Sequence, residues 1–354
     1  MKPAGDGSGG RPPAAAQSAR EGWRLVIQSG RADEMRAEIG VVVRREGPAA
    51  AGGLRLSGTL AGPIRGRDVT LPTTVRLVGM PEISRPDLAA ARALFTEPAY
   101  WSPELPNLYR LSAEIRPEGD DAVIATIERL IGLRRLGVRG RSFWLEGRRW
   151  VPRGVACPRG DFDPAAFRSA HAAAAIDDPT DEVCAAADRA GVAIIARLAA
   201  AADAGSAAQA IARWALHPSV GLVVVPREGV LARGHAVLAA VRPKHAPLLV
   251  AAEVDGLESP TALPADVSQR VDCLLVDLPQ DGLPHAAWRT GAPALPLVAR
   301  RAVAVAPAEQ GSDVATVRRM CDGLQADLAA WGCAAGSAGT GWDWAGYVCD
   351  SCRS

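Results

Sequence analysis

The segment Trp101-Ser-Pro-Glu-Leu-Pro-Asn-Leu-Tyr109 decides the fold, together with Gly132-Leu-Arg-Arg135 and Phe143-Trp-Leu-Glu-Gly-Arg-Arg-Trp-Val-Pro-Arg-Gly-Val155. The two prolines of the first segment fix φ and remove backbone donors, so this segment predicts a rigid connection between strands. The sequence pattern differs on its two sides. These segments therefore indicate the joint between two domains.

Short runs with alternating apolar and polar residues precede and surround the first segment. Gly, Pro or charged clusters separate them, which is the pattern of an antiparallel sandwich with frequent turns. The sequence predicts an immunoglobulin-like β-sandwich over residues 22–139, preceded by a disordered tail over residues 1–21 that is rich in Gly, Pro and Ala. The predicted strands are Trp23–Gln28, Glu34–Arg45, Leu54–Leu60, Val69–Val78, Leu108–Ile115 and Ala122–Leu133.

Apolar strands alternate with Ala-rich helical stretches after Val155, which favours βα units and a parallel sheet. A closed (β/α)8 barrel over residues 140–354 is the expected architecture. The predicted strands are Val151–Cys157, Val192–Leu198, Val220–Val225, Pro247–Ala252, Val271–Leu278, Leu295–Ala299 and one near Trp342. The predicted helices are Asp181–Ala190, Ala207–Leu216, Val230–Val241 and Val314–Trp331. The segment available for strand two, His171–Pro179, is short and Ala-rich, so an irregular barrel is expected there.

Composition excludes several partners. The 354 residues carry 40 basic and 39 acidic side chains, so no global field attracts nucleic acid or an anionic membrane. No run of about 18 apolar residues appears that could span a bilayer. The odd number of cysteines, seven, favours reduced thiols and a cytoplasmic location. The close pair Cys349 and Cys352 leaves its role open, and no spacing of histidines or cysteines indicates a metal or cofactor.

The three opening segments resemble the joint between the sandwich and the catalytic barrel of glycoside hydrolase family 2. This family includes β-galactosidases, β-glucuronidases and β-mannosidases, and its members usually show a W-S-P-x-x-P-x-L-Y turn, a G-[FL]-R strand, a hairpin and an R-G-V strand in this order. The resemblance implies a retaining glycosidase fold with two catalytic carboxylates. Relatives also carry a jelly-roll domain before the sandwich, which this chain is expected to lack.

The resemblance places the acid/base at Glu228, because His217-Pro-Ser-Val-Gly-Leu-Val-Val-Val-Pro-Arg-Glu228 follows the family pattern that ends in Asn-Glu. The Asn that usually contacts the sugar is replaced by Arg227. An adjacent guanidinium favours the ionised carboxylate, whereas an acid catalyst must be protonated. Glu228 is thus either a remaining catalytic or ligand-contacting group or a strand-end residue in a salt bridge.

The nucleophile is the decisive position in this comparison. The segment Pro296-Leu-Val-Ala-Arg-Arg301 matches the family's strand seven and places Arg301 where the Glu belongs. A guanidinium cannot attack an anomeric carbon. Glu253 and Asp277 lie at or near the ends of two neighbouring predicted strands and are candidates for a relocated nucleophile. The alternative is that these acids cap helices or pair with arginines.

Trp342 and Trp344 lie where relatives have a Trp-containing strand eight, so the resemblance implies that they contact the sugar. Arg227 is a further predicted substrate-binding residue. Simple packing is the alternative for both tryptophans.

Three hypotheses remain from the sequence. The first is a catalytically impaired or inactive family 2 relative, a pseudoenzyme, that binds carbohydrate. The second is an active retaining β-glycosidase with Glu228 as acid/base and a relocated nucleophile. The third is a non-enzymatic interaction module, which the expected loss of the jelly roll and the Ala-rich helices favour. Carbohydrate is the expected partner, nucleic acid and membrane are not, and homo-oligomerisation stays open.

Overall fold

In the computed structural model, an antiparallel sandwich-like sheet precedes a closed parallel barrel. The structure describes residues 22–47, 52–66, 71–232, 237–238, 248–262, 265–304, 313–333 and 344–352. The predicted tail over residues 1–21 and the tryptophan at position 342 lie outside the described residues. Within the described part, no helix is long and apolar enough to cross a membrane.

The amino-terminal sheet has seven strands in the order β1-β2-β5-β4-β3-β6-β7. The first part of β4 pairs with β3 and its end pairs with β5, so this strand passes from one layer to the other. The strands are β1 (Trp23–Ala32), β2 (Arg36–Arg45), β3 (Leu54–Ile64), β4 (Thr73–Gly79), β5 (Leu88–Thr96), β6 (Leu108–Pro117) and β7 (Ala125–Ile131).

Alternation of side chains builds the core of this sheet. In β2, for example, Ala37, Ile39, Val41 and Val43 are buried while the residues between them are more exposed. The sequence analysis missed β5, whose run Leu-Ala-Ala-Ala-Arg-Ala-Leu-Phe-Thr is poor in β-branched residues. It forms a strand because β2 pairs with it over nine residues, which shows that tertiary pairing outweighs its local preference.

A second, three-stranded sheet closes the bottom of the barrel. It contains β8 (Leu136–Arg139), β9 (Ser142–Leu145) and β10 (Arg148–Trp150), which confirms the hairpin expected from the family pattern. Phe143 is fully buried against the residues that fill the barrel, and Leu136 and Trp150 pack on the same cluster. Gly221 lies under the ring of Trp150, where an added Cβ would approach it to 3.3 Å.

Eight parallel strands then close the barrel, as predicted. They are β11 (Arg153–Ala156), β12 (Ala173–Asp177), β13 (Ile194–Arg197), β14 (Val220–Val225), β15 (Leu249–Asp255), β16 (Cys273–Leu278), β17 (Leu297–Ala304) and β18 (Gly346–Cys352). The last strand begins a few residues after the predicted position. Strand two, expected to be irregular, pairs in regular parallel register with both of its neighbours.

Helices follow the strands and cover the barrel. They are α1 (Pro164–Ser169), α2 (Asp181–Ala190), α3 (Ala204–Trp214), α4 (Arg227–Ala232), α5 (Ala265–Arg270), α6 (Trp288–Gly291) and α7 (Val314–Cys333). Local signals explain α2, because the Thr180 side chain caps its first turn and Gly191 ends it at a φ of 72°. The predicted bounds of this helix are confirmed.

The opening sequence segments form the contact between sandwich and barrel. Trp101 is fully buried, and its indole Nε1 donates to the carbonyl oxygen of Asp188 in α2 at 2.9 Å. The buried guanidinium of Arg134 donates to the carbonyl oxygens of Pro218 and, at 2.8 Å, Val220. These bonds connect the sandwich to α2 and to the amino-terminal end of β14. The role of these segments in the described structure is therefore to hold the two parts together.

Gly132 is required for this contact. A Cβ added there would lie 2.5 Å from Cγ of Pro218, whereas a Cβ at Gly137 would meet nothing within 4 Å. We expect Gly132→Ala to lower the free energy of unfolding by about 1–3 kcal/mol, because the barrel must move away from the sandwich. Gly137→Ala, the matched control, should change it by less than about 0.5 kcal/mol. Urea denaturation followed by tryptophan fluorescence compares the two variants, and equal effects would contradict close packing at the joint.

Candidate functional site at the barrel mouth

The carboxyl ends of the eight strands form an open mouth, which is where barrel enzymes place their sites. Alternate residues of each strand face inwards, and four of them, Ile195, Val224, Leu275 and Val348, form an apolar floor. Above this floor lies a cavity of about 570 Å³. Its upper lining is charged.

A chain of ion pairs crosses the mouth. Glu253 of β15 accepts from Nε of Arg197 at 2.9 Å and from a terminal nitrogen of Arg300 at 3.0 Å. The other terminal nitrogen of Arg300 binds Asp350 of β18 at 3.2 Å, and Arg197 lies 3.9 Å from Asp177 of β12. Five strands are thereby connected through side chains.

Glu253 is the centre of this network. Its side chain is only 8% exposed and makes ion pairs with two guanidinium groups, one on each carboxylate oxygen. Burial would lower the pKa of Arg300, but Asp277, Glu253 and Asp350 outweigh this effect and raise it. Both oxygens of this carboxylate are therefore occupied by charge-assisted hydrogen bonds.

Asp277 of β16 lies beside the network, but its carboxylate makes no hydrogen bond or ion pair with the described residues, whereas its backbone carbonyl accepts from the N–H of Gly256. Partial burial raises the pKa of this carboxyl group above 3.8, Arg300 opposes the rise, and Glu253 and Asp255 add to it. Two carboxylates and two guanidinium groups thus act on Asp277 in opposite directions, since Arg197 also lowers its pKa.

The predicted acid/base has a different environment. Glu228 is exposed in the first turn of α4, and the structure records no contact for its carboxylate. The neighbouring Arg227 pairs with Asp255 at 2.8 Å and Glu258 at 2.7 Å. Arg227 is thus occupied by carboxylates of the β15 loop, whereas Glu228 is available to solvent.

The two arginines of strand seven face opposite ways. Arg301, assigned from the sequence to the nucleophile position, leaves the barrel and contacts Asp327 of α7 at 2.6 Å and the carbonyl oxygen of Gly282 at 2.9 Å. Arg300 enters the mouth. Because side chains alternate along a strand, Arg300 and not Arg301 is the arginine of this strand that faces the cavity.

Trp344 is buried in the outer cluster, between strands and helices, where its ring packs and lines no part of the mouth cavity. Cys349 is buried against Cys321 of α7, and its pKa is raised by that thiol and by burial. The side chain of Cys352 lies outside the described part. Among described side chains, no group of three or more His, Cys, Asp or Glu could hold a metal ion.

Sequence reasoning singled out none of four members of the network, Arg300, Asp350, Asp177 and Arg197. A signal was present, because each of the first three lies two residues after an inward-facing apolar residue of its strand, Val298, Val348 or Ala175. Assigning the inward face of every strand from its alternation, instead of matching one motif at a time, would have found them.

Comparison with known proteins agrees with this architecture. Residues 66–134 match the family model of glycosyl hydrolases family 2. No curated protein matches the chain. A calcium-binding mutant of Bacteroides uniformis β-glucuronidase 2 superposes with a TM-score of 0.63 at 14% identity, over 92% of this chain and 46% of that one.

Two further solved structures are similar. A family 2 member from Bacteroides cellulosilyticus has a TM-score of 0.62 at 16% identity, over 93% of this chain and 43% of its own. Bifidobacterium dentium β-glucuronidase, complexed with coumarin-3-O-glucuronide, has a TM-score of 0.60 at 13% identity, over 92% of this chain and 59% of its own. The chain thus spans about half the length of these proteins, and identities this low show the fold alone.

The fold is an immunoglobulin-like sandwich followed by an eight-stranded parallel barrel. With the matching family model, the chain is a relative of glycoside hydrolase family 2.

Glu253 and Glu228 form a natural pair for testing the network. We expect Glu253→Gln to lower the free energy of unfolding by about 3–5 kcal/mol, because it leaves two largely buried guanidinium groups without their shared carboxylate. Glu228→Gln makes the same change at an exposed side chain and should alter it by less than about 0.5 kcal/mol. Chemical denaturation measures both. A Glu253→Gln variant as stable as the control would show that the ion pairs contribute nothing.

Asp277 gives a pH-dependent prediction. Its folded pKa lies above 3.8, so ionisation costs stability that Asp277→Asn should restore. The variant should melt at a higher temperature than the parent at pH 7, and this advantage should disappear once the pH falls well below 3.8, because the carboxyl is then protonated in both states. Asp121→Asn, on the sandwich surface, controls for net charge. An advantage that persists at low pH would contradict the assignment.

Proposed function

We propose that this chain is a catalytically impaired relative of glycoside hydrolase family 2, a pseudoenzyme that binds carbohydrate at the barrel mouth without hydrolysing it. The observation that carries the proposal is Arg300. This side chain enters the mouth from strand seven, where the family mechanism needs a carboxylate nucleophile, and it neutralises Glu253. A retaining mechanism needs two carboxylates about 5–5.5 Å apart, one free to attack and one able to give a proton.

The shape and polarity of the mouth support carbohydrate as the ligand class. A sugar ring presents hydroxyl groups at its edge and C–H groups on its face, and the mouth offers charged groups at the rim above an apolar floor. Asp177 is 75% exposed and can accept hydrogen bonds from hydroxyl groups. A cytoplasmic location belongs to the same proposal, since the six cysteines with described side chains are free thiols.

The test combines turnover and binding. Purified protein should release no product from aryl β-glucuronides, β-galactosides or β-mannosides above the buffer rate, with Glu228→Gln indistinguishable from the parent. Titration calorimetry with the corresponding sugars should detect binding that Asp177→Ala weakens roughly tenfold, as expected for a hydrogen bond to a charged group. Asp121→Ala is the matched control. Turnover abolished by Glu228→Gln would overturn the proposal of impaired catalysis.

An active retaining β-glycosidase is the second candidate. In it Glu228 acts as acid/base and Glu253 or Asp277 is the relocated nucleophile. The observation that favours it is the position of Glu253 and Asp277, which lie near the ends of two neighbouring parallel strands of the same mouth. Incubation with a fluorinated glycoside, followed by peptide mass mapping, distinguishes the candidates: a labelled Glu253 or Asp277 establishes this one, and an unlabelled protein excludes such a trapped ester.

A further inference from the structure

His217 lies at the contact between the sandwich and the barrel, and its ring contacts no residue of the mouth network. Its ring is 4% exposed. Nδ1 lies 2.6 Å from Oδ2 of Asp188 in α2, and Nε2 lies 2.7 Å from a terminal nitrogen of Arg129 in β7. The ring thus bridges a barrel helix and the last strand of the sandwich.

The partners of this ring fix its protonation. A guanidinium nitrogen carries only donors, so the Nε2 atom that faces Arg129 must be the acceptor. The single ring proton then lies on Nδ1 and is donated to the carboxylate of Asp188. The described geometry therefore requires a neutral imidazole with its proton on Nδ1.

A second hydrogen-bond acceptor lies near Nε2. Oδ1 of Asp181 is buried, accepts no hydrogen bond among the described residues and lies 3.9 Å from Nε2. Arg213 approaches the same oxygen as an ion pair at 3.3 Å. An imidazolium could donate from both nitrogens, to Asp188 on one side and Asp181 on the other.

Protonation would also act on Arg129. The second proton would place a donor opposite a donor and a positive ring against a guanidinium at 2.7 Å. The contact between Arg129 and His217 would break, and the hydrogen bond from Nε2 to Asp181 would replace it. Solvent supplies this proton through a groove of about 590 Å³ that His217 and Arg129 both line.

Titratable and charged side chains of both signs face the ring from each element that packs against it. The sandwich contributes three arginines and one glutamate, and the barrel contributes three acids, one thiol and two arginines. They are Arg110, Glu128, Arg129 and Arg134 on the sandwich side, and Asp181, Glu182, Cys184, Asp188, Arg189 and Arg213 on the barrel side. Only Arg129, Asp181 and Asp188 reach the ring nitrogens within 4 Å.

We propose that His217 is a proton-operated switch of the interdomain contact, which holds Arg129 of the sandwich when neutral and releases it in favour of Asp181 when protonated. The bonds from Trp101 and Arg134 to the barrel do not involve the ring. Acidification therefore breaks the contact at Arg129, while the hydrogen bonds from Trp101 and Arg134 to the barrel remain. This inference is independent of the function proposed for the mouth.

Nitrogen-15 NMR of histidine side chains tests the switch directly in the full chain, with His217→Asn used to assign the signal. At pH 8 we expect His217 as the Nδ1–H tautomer, and at low pH as the imidazolium. Hydrogen exchange should then become faster in β7 around Arg129, while exchange of the Trp101 indole stays slow. An Nε2–H tautomer at pH 8, or protonation without any change in β7, would overturn the proposal.

Two variants test the partners separately. Arg129→Gln removes the cation that opposes the second proton, so the titration midpoint of the His217 signal should move to higher pH. Asp181→Asn removes the negative charge that would accept a hydrogen bond from the protonated Nε2, so the midpoint should move to lower pH. Arg110→Gln is the matched control, since it removes a cation from the same groove with no recorded contact to the ring, and it should have the smallest effect. Unchanged midpoints in Arg129→Gln and Asp181→Asn would contradict the switch even if the His217→Asn variant failed to fold.

Discussion

The buried carboxylate of Asp188 is the interaction on which the arrangement of the two domains depends. One oxygen accepts from the ring of His217 and the other from the backbone N–H of Ser219 at 2.9 Å, while its main-chain carbonyl accepts from the indole of Trp101. A buried charge is costly unless hydrogen bonds satisfy it. Here His217 and Ser219 satisfy the carboxylate, and Trp101 binds the main-chain carbonyl of the same residue; each of these three partners belongs to a sequence segment shared with the family pattern. The shared segments are explained by this carboxylate without any reference to catalysis.

A different requirement applies at the mouth: the positive and negative side chains of this partly buried layer must balance each other. Arg197 and Arg300 surround Glu253, and the ends of the chain of contacts are Asp177 and Asp350. Replacing an inward carboxylate by an arginine would leave an unpaired charge unless neighbouring residues supplied the opposite sign. The inward carboxylates on β12, β15 and β18 supply it, so the layer is a coherent structural solution. An attacking carboxylate must be available to substrate, and Glu253 is committed to two guanidinium groups.

The sequence predicted the fold well where local patterns and tertiary structure agree. The helix Asp181–Ala190 has its cap, its stop and its apolar face within the segment, and its bounds were predicted correctly. Strand β5 was missed because its alanines carry no local strand preference and its pairing partner, β2, is more than forty residues away along the chain. Arg300, Asp350 and Asp177 were missed for a related reason. A motif places a residue along the strand, but only the pleat decides whether Arg300 or Arg301 faces the interior.

The two constraints act at opposite ends of the same barrel. His217, Pro218 and Ser219 precede β14, where they contact the sandwich, whereas the charged layer lies at the carboxyl ends of the strands. Strand β14 itself is buried along its whole length, with apolar residues between the two ends. No charged side chain of that strand connects the joint to the mouth, so substitutions in the mouth need not disturb the contact between domains. Barrels generally place residues that serve stability at the amino-terminal face and site residues at the carboxyl-terminal face, and the contact with the sandwich and the charged mouth follow that division here.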